Sequence, residues 1–177
     1  MTCILGVAKD NVVYMVGDSA SVGGLDVSVV RQPKVFCRGE YVIGYTTSFR
    51  MGQLLQFMSL PEYESGELDE FMVTRFIPAV RTVFKDGGFA KVENVVEVGG
   101  VFLVGIAGKL FRIDSDFQVS ERADGIDAVG CGADYALGAY WAMEGQLDIQ
   151  PRMIRALEAA TYFSGGVRPP YILEKVK

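Results

Sequence analysis

The chain has 177 residues, half of them apolar, with a formal net charge of −5 and no histidine. This length fits a single domain, residues 1–177, with one sizeable core, and the scattered basic residues exclude the charged patch of a typical nucleic-acid-binding protein. The absence of histidine excludes Ser-His-Asp and Cys-His catalysis and histidine-ligated metals, so a hydrolase built on this sequence needs another base.

The first 45 residues carry the pattern of two β-hairpins. Residues 3–8 and 12–17 are short, apolar and rich in β-branched side chains, and they flank a polar two-residue turn. Residues 34–37 and 41–45 form a second pair of this kind around a glycine. The stretch between the hairpins, residues 19–26, is small, polar and rich in glycine, which predicts a loop. We therefore expect four strands at the start of the chain.

Two helices are predicted next. Residues 48–58 carry apolar side chains at three-residue steps behind Ser48, a favoured N-cap residue. Residues 68–84 have a similar apolar face, and Asp86 with the two glycines after it ends the pattern. Pro78 lies inside this second helix and is expected to kink or split it.

Further strands and helices are predicted in the second half of the chain. Residues 91–99 fit either an edge strand or a loop. The apolar segments that predict strands are residues 101–107, 109–114, 126–129 and 171–176. Residues 134–143 and 151–163 have helical patterns. The predicted order is strands, two helices, strands, two helices and a strand. This order favours an α+β fold in which antiparallel sheets pack together with helices outside. Because the strands are mostly apolar, we expect both faces of the sheets to be covered.

Membrane, secretory and metal-binding features are not expected. The longest apolar runs, such as residues 101–104, are far shorter than the roughly 20 residues that span a bilayer. Residues 9–11 interrupt the first apolar run, so we expect no secretory signal and a cytoplasmic protein. Cys3, Cys37 and Cys131 are widely spaced and form no Cys-x-x-Cys pair, which predicts reduced thiols and no zinc or redox site. We expect no cofactor.

The first 35 residues hold groups that suit acyl transfer without histidine. If Met1 is removed, as is common before a small residue, Thr2 carries both a hydroxyl nucleophile and an α-amine with a pKa of about 7.7 to 8.0. Lys34 beside this threonine would favour the deprotonated amine and lower the cost of an alkoxide, and Asp18 would hold the lysine charged and in place. An ordinary loop acid and a solvated strand lysine fit the same two positions, so both interpretations stay open.

This N-terminus resembles the proteasome β-subunit family, and most closely its bacterial HslV-type branch, within the N-terminal-nucleophile hydrolases. In that family a nucleophilic threonine is followed by a hairpin, an acid at the end of the second strand and a lysine at the start of the third. The matching positions are Thr2, Asp18 and Lys34. The resemblance also assigns Gly44, in the apolar strand at residues 42–45, to the oxyanion hole.

The resemblance continues in the second half of the chain. Cys131, between two glycines, stands where the family has the serine of a Gly-Ser-Gly element near the threonine amine. Ser164 begins a Ser-Gly-Gly match, and Thr161 stands where many members have an aspartate. The glycines around Cys131 also begin like a dinucleotide-binding Gly-x-Gly-x-x-Gly, but Tyr135 occupies the third glycine position and no βαβ unit surrounds it. We therefore do not favour a dinucleotide site.

Over nearly the full length, the resemblance implies a four-layer αββα sandwich and a threonine-type peptidase. It implies a homo-oligomeric ring or double ring, substrates that are peptides or unfolded proteins, and an ATP-dependent unfoldase as a separate partner. No metal site of side chains is expected, although backbone carbonyls near Gly165 would suit a cation. One alternative is an inactive assembly subunit, which Cys131 and Thr161 suggest. Another is a small-molecule amidase with the same nucleophile, because fold does not fix substrate.

Overall fold

The structure, a computed structural model, describes residues 1–89, 91–93 and 96–177. Its strands in chain order are β1 (Ile4–Lys9), β2 (Val12–Gly17), β3 (Ala20–Gly23), β4 (Asp26–Val29), β5 (Val35–Arg38), β6 (Tyr41–Tyr45), β7 (Lys91–Glu93), β8 (Val96–Val98), β9 (Phe102–Ile106), β10 (Lys109–Ile113), β11 (Val119–Glu121), β12 (Ile126–Val129) and β13 (Ile172–Val176). Its helices are α1 (Phe49–Phe57), α2 (Leu68–Phe71), α3 (Ile77–Asp86), α4 (Ala133–Ala142) and α5 (Ile149–Phe163). None of the helices in these described ranges is long and apolar enough to cross a membrane.

The two largest sheets of the structure are antiparallel. One has four strands in the order β12-β1-β2-β13, and the other has five in the order β11-β10-β9-β6-β5. Neighbouring strands in both sheets run antiparallel. The prediction of antiparallel sheets in a chain that also has helices is confirmed.

The β1–β2 hairpin fixes where the N-terminus lies. Asp10 and Asn11 form its turn with φ values of +53° and +58°, a conformation that these short polar residues tolerate better than branched ones. The pairing aligns Ile4 with Gly17. The residues before Ile4 therefore lie beside the segment that follows β2.

Three apolar clusters fill the interior. In one, the five-stranded sheet packs against α1, α3 and the π-helical segment Met72–Phe76, with side chains such as Ile43 and Leu55. In the second, β1, β2 and β12 pack against α4 and α5. The third joins the two sheets through side chains that include Ile4 and Leu103. The strands therefore have apolar contacts on both faces, which accounts for their nearly continuous apolar sequences.

Two small ribbons lie outside the main sheets. The prediction of a loop at residues 19–26 is wrong. These residues include β3, which pairs with β4 through a turn that contains Gly24 at φ +61°. Every residue of β4 is exposed, so its sequence has no alternation of buried and exposed positions that would mark a strand. Residues 91–99, which fitted a strand or a loop, hold the β7–β8 ribbon, and residues 94 and 95 lie outside the described ranges.

The helix predicted at residues 68–84 is present with a change of helical type before Pro78. The π-helical segment Met72–Phe76 joins α2 to α3, and Pro78 lies in the first turn of α3. Proline has no amide hydrogen, and its ring clashes with the carbonyl four residues earlier in an α-helix. The wider π-helical turn therefore accommodates Pro78 without ending the helix.

Candidate active site

The Asp18 carboxylate is the buried centre of the site, with 1% of the residue exposed. Its Oδ1 accepts hydrogen bonds from the Cys3 amide and from Lys34 Nζ, both at 3.0 Å. Its Oδ2 accepts from the amides of Ala20 at 2.9 Å and Arg168 at 3.2 Å. Four donors from separate parts of the chain therefore fix both oxygens of this carboxylate.

Lys34 reaches this carboxylate from the residue before β5. The lysine is only 2% exposed, and its Nζ lies 3.0 Å from Asp18 Oδ1. Nζ also lies 3.5 Å from the carbonyl oxygen of Met1, which belongs to the peptide bond before Thr2. Burial lowers the pKa of Lys34, and the charge on Asp18 opposes that shift. The buried Lys34 side chain, paired with Asp18, thus lies next to the first residues of the chain.

Thr2 is held between β1 and the end of β12. Its nitrogen lies 3.4 Å from Cys131 Sγ, and its carbonyl accepts a hydrogen bond from the Gly132 amide at 3.2 Å. Gly130 adopts φ +101°, and a Cβ there would lie 2.3 Å from the Thr2 carbonyl oxygen. Only glycine therefore permits β12 to approach the N-terminus this closely.

Cys131 and Ser164 meet beside Thr2. Cys131 Sγ lies 3.4 Å from Ser164 Oγ and 3.4 Å from the Thr2 carbonyl oxygen. All three cysteines are free thiols, and Cys131 is exposed whereas Cys3 is buried. Burial raises the pKa of Cys3 to about 12, so this thiol is a poor nucleophile despite its position next to Thr2.

The structure thus joins five of the six residues predicted from sequence into one network of contacts. The Asp18–Lys34 pair holds one side of the chain start, through the Cys3 amide and the Met1 carbonyl. Cys131 and Ser164 hold the other side. Thr2, which bears a hydroxyl, thus has a buried cation at the carbonyl before it and a thiol at its nitrogen, and a hydroxyl, a cation and a polar environment for an amine are the groups needed for acyl transfer without histidine.

No protein-family model and no curated protein matches the sequence. Among solved structures, the chain is similar to BPH from Thiobacillus denitrificans, with a TM-score of 0.83, 19% identity and coverage of 99% of this chain and 98% of that one. BPH in complex with epoxomicin matches with a TM-score of 0.82, 19% identity and the same coverage. The eukaryotic HslV from Trypanosoma brucei matches with a TM-score of 0.71, 20% identity and coverage of 99% of both chains. The chain has the HslV-type fold of proteasome β-subunits. The resemblance inferred from the sequence is therefore confirmed for the fold.

Gly44 is the sixth predicted site residue, and this HslV-type fold does not bring it into the network around Thr2. It lies in the central strand β6, paired with Val35 on one side and Leu103 on the other. A Cβ at Gly44 would lie 2.5 Å from Met15 Sδ and 2.6 Å from Ile4 Cγ2. The missing side chain therefore permits close packing between the sheets.

The loop that follows β6 has a backbone amide without a hydrogen-bond acceptor among the described residues. Thr47 adopts φ +58°, which is rare for a β-branched residue. Its hydroxyl accepts from the Val101 amide at 3.1 Å, while its own amide has no acceptor among the described residues. At one end of the loop the Tyr45 amide donates to the Lys34 carbonyl at 3.0 Å, and at the other the Phe49 ring centroid lies 5.9 Å from Lys34 Nζ. Thr47 is therefore an exposed donor that sequence reasoning missed.

Arg168 and Tyr171 are two further residues that the sequence did not indicate. Arg168 contacts Asp18 through its backbone amide, so the residue type carries no signal of the contact. The Tyr171 hydroxyl lies 2.7 Å from the Thr161 hydroxyl. Thr161 is therefore hydrogen-bonded to a tyrosine, and neither residue has a hydrogen bond to Thr2.

Proposed function

We propose that the protein is a threonine-type N-terminal-nucleophile peptidase, which hydrolyses peptide bonds after Met1 is removed. The observation that carries the proposal is the shared contact at Asp18 Oδ1, where the Cys3 amide and Lys34 Nζ both lie at 3.0 Å. Cys3 is bonded to Thr2, so one carboxylate oxygen fixes the nucleophile's neighbour and the buried cation together. Such preorganisation of charge beside a hydroxyl supports nucleophilic catalysis.

The proposed reaction begins with attack of the Thr2 hydroxyl on a substrate carbonyl. The freed Thr2 amine takes the hydroxyl proton, and the Lys34 ammonium stabilises the developing alkoxide. Collapse of the tetrahedral intermediate breaks the C–N bond, and the amine returns the proton to the leaving nitrogen. Water then attacks the resulting ester with the amine again as base, which releases the acid product and restores Thr2. Cys131 Sγ, at 3.4 Å from the Thr2 nitrogen, orients that amine, with Ser164 behind it.

We assign the oxyanion donor to the loop after β6 in preference to Gly44. Thr47 is exposed, and its amide lacks an acceptor among the described residues. Tyr45, before the loop, donates to the Lys34 carbonyl, and the ring centroid of Phe49, after it, lies 5.9 Å from Lys34 Nζ. Gly44 faces the packing between the sheets. A backbone donor without a partner suits an oxygen that becomes negative only during the reaction.

The proposal extends to assembly and location. We propose a four-layer αββα arrangement, supported by the three apolar clusters, and a homo-oligomeric ring, supported by the likeness in fold to HslV. The cytoplasmic location is proposed from the sequence, because residues 9–11 interrupt the first apolar run and do not suit a secretory signal. Unfolded polypeptides are the proposed substrates, delivered by a separate ATP-dependent unfoldase.

Substitution of the nucleophile tests the proposed activity. Thr2→Ala removes the hydroxyl and should abolish hydrolysis of fluorogenic peptides. Thr2→Ser is the matched control, since it keeps both a hydroxyl and an α-amine and should retain measurable hydrolysis. Undiminished hydrolysis by Thr2→Ala would exclude Thr2 as the nucleophile.

An inactive assembly subunit is the second candidate function. It is favoured by Thr161, whose hydroxyl bonds to Tyr171 where many family members have an acid to assist the amine, and by Cys131 in place of serine. Intact-mass measurement on natively expressed protein separates the two candidates, because Met1 on every molecule would leave Thr2 without a basic amine. Hydrolysis of small amides without hydrolysis of peptides would point instead to an amidase on the same fold.

A further inference from the structure

One short segment touches both halves of the candidate site. Residues 164–170, here called the bridging segment, connect α5 to the residue before β13. At its start, Ser164 Oγ lies 3.4 Å from Cys131 Sγ. Near its end, the Arg168 amide donates to Asp18 Oδ2 at 3.2 Å. A displacement of the bridging segment would therefore disturb the surroundings of both the Thr2 amine and the Asp18–Lys34 pair.

The end of the bridging segment is also bound to the residue after Asp18. The Ser19 amide donates to the Arg168 carbonyl at 2.9 Å, and Ser19 Oγ donates to the Pro170 carbonyl at 2.7 Å. Together with the Arg168 amide on Asp18, these bonds attach the segment to the end of β2 at three points. The position of Arg168 in the bridging segment thus determines whether its amide can donate to Asp18 Oδ2.

A hydrogen bond between two hydroxyl groups links the residues on either side of the bridging segment. Thr161, in the last turn of α5, and Tyr171, directly before β13, approach to 2.7 Å between their hydroxyl oxygens. The Tyr171 hydroxyl also lies 3.4 Å from the Leu157 carbonyl, a longer and weaker contact. The two residues flank the segment on either side and are both partly buried.

The surroundings of Tyr171 favour its neutral, hydrogen-bonding form. Burial raises the pKa of Tyr171, the hydrogen bond to Thr161 opposes the shift, and the negative charges of Glu158 and, to a smaller extent, Asp18 add to the increase. The phenol therefore keeps its proton well above neutral pH and can donate or accept with Thr161.

We propose that Thr161 and Tyr171 are positioning residues, whose paired hydroxyls hold the bridging segment so that the Arg168 amide stays on Asp18 and Ser164 stays on Cys131. The inference rests on the proposed peptidase function, and it adds two residues that contact neither Thr2 nor Lys34. Without the pair, a segment that contains Gly165 and Gly166 would be free to shift at its base. Small displacements of this kind are enough to lower catalytic rates strongly.

Amide hydrogen exchange tests the holding role without any assay of activity. Tyr171→Phe and Thr161→Val should each increase exchange in peptides that cover residues 164–171 and 18–21, because the Arg168 and Ser19 amides become less protected. Tyr162→Phe is the matched control, since Tyr162 is 84% exposed and lies next to Thr161. Unchanged exchange in both variants, with thermal unfolding showing that they are folded, would overturn the proposal.

Peptide hydrolysis tests the consequence for catalysis. In Tyr171→Phe and Thr161→Val, kcat should fall about tenfold while KM changes less than about twofold, because the substrate-binding groups are untouched. Thr161→Ser should restore kcat, and the double variant should lose no more than the worse single one.

A kcat within twofold of wild type for Tyr171→Phe, or losses in the two single variants that multiply in the double variant, would overturn the proposal. Absence of hydrolysis by the wild-type protein would count against the peptidase function, and the exchange result would still decide whether the pair holds the segment.

Discussion

At the scale of single residues, the main feature of the site is a buried ion pair. Lys34 and Asp18 are 2% and 1% exposed, and the distance of 3.0 Å between Lys34 Nζ and Asp18 Oδ1 is that of a charge-assisted hydrogen bond. A buried ion pair adds little stability by itself, but the loss of one partner leaves the other charge uncompensated. The pair therefore suits the role proposed for it beside Thr2 better than a role in stability.

Removal of one partner of this pair should affect stability and activity separately. Lys34→Met keeps the length of the side chain but leaves the Asp18 carboxylate without a cation, so we expect a loss of about 3 kcal/mol in the free energy of unfolding. Peptide hydrolysis should fall at least about 100-fold. Denaturant unfolding and steady-state kinetics measure the two effects.

The double variant Asp18→Asn with Lys34→Met is the control for this prediction. It removes both charges, so the part of the lost stability that comes from the uncompensated carboxylate should return, while the part that comes from backbone amides facing a side-chain NH2 group should not, and hydrolysis stays low. Hydrolysis by Lys34→Met within about tenfold of wild type would contradict a role for the ammonium in stabilising the alkoxide.

Cys3 provides a prediction on the dependence of stability on pH. Burial, with a smaller contribution from Asp18, raises the pKa of this thiol from 9.0 to about 12. The unfolded thiol therefore loses its proton first, and the folded state loses stability relative to the unfolded state as the pH rises from about 9 towards 12. Cys3→Ala should make this decline shallower, by at most about 1.4 kcal/mol per pH unit. Denaturant unfolding between pH 8 and about 10.5 checks the prediction, and equal slopes for both proteins would contradict it.

Elements of the fold bring these residues together through close backbone contacts. The junction between β12 and α4 passes the N-terminus at Gly130, where φ is +101° and a Cβ would lie 2.3 Å from the Thr2 carbonyl oxygen. The β1–β2 hairpin aligns Ile4 with Gly17, which brings the Cys3 amide to Asp18. The site is therefore sensitive to small changes where strands end.

Alanine at Gly130 should damage both the fold and the site. The clash and the unfavourable φ predict a loss of about 2 kcal/mol or more in the free energy of unfolding, together with a large loss of hydrolysis. Gly138→Ala is the matched control, because Gly138 lies in α4 with open space around it and alanine favours helix by about 0.5 to 1 kcal/mol. Equal stability of the two variants would contradict the close approach of β12 to Thr2.

For the molecule as a whole, the sequence predicted the antiparallel sheets with helices and five of the residues that the structure brings together at the candidate site, and the omissions have physical causes. Apolar periodicity identifies the strands and helices that pack against each other, and Thr2, Asp18 and Lys34 are side chains whose chemistry is visible in the sequence. The β3–β4 ribbon was missed because β4 is exposed throughout.

Backbone groups account for the other omissions. The Arg168 amide on Asp18 and the open Thr47 amide depend on chain geometry and not on residue type. Gly44 shows the reverse case, in which a glycine that suggests a substrate contact is required for packing between the sheets. Side-chain chemistry was thus easier to predict from this sequence than the placement of backbone donors.

Thr2 is expected to become a free N-terminal nucleophile, and the mass of the N-terminal peptide after incubation with epoxomicin tests this claim. This epoxyketone has two electrophilic carbons, which the hydroxyl and the α-amine of one threonine can attack together. We expect a peptide that begins at Thr2 and carries the mass of one inhibitor, with no such adduct in Thr2→Ala. Retention of Met1 on every molecule, or a peptide that begins at Thr2 and stays unmodified, would contradict the claim.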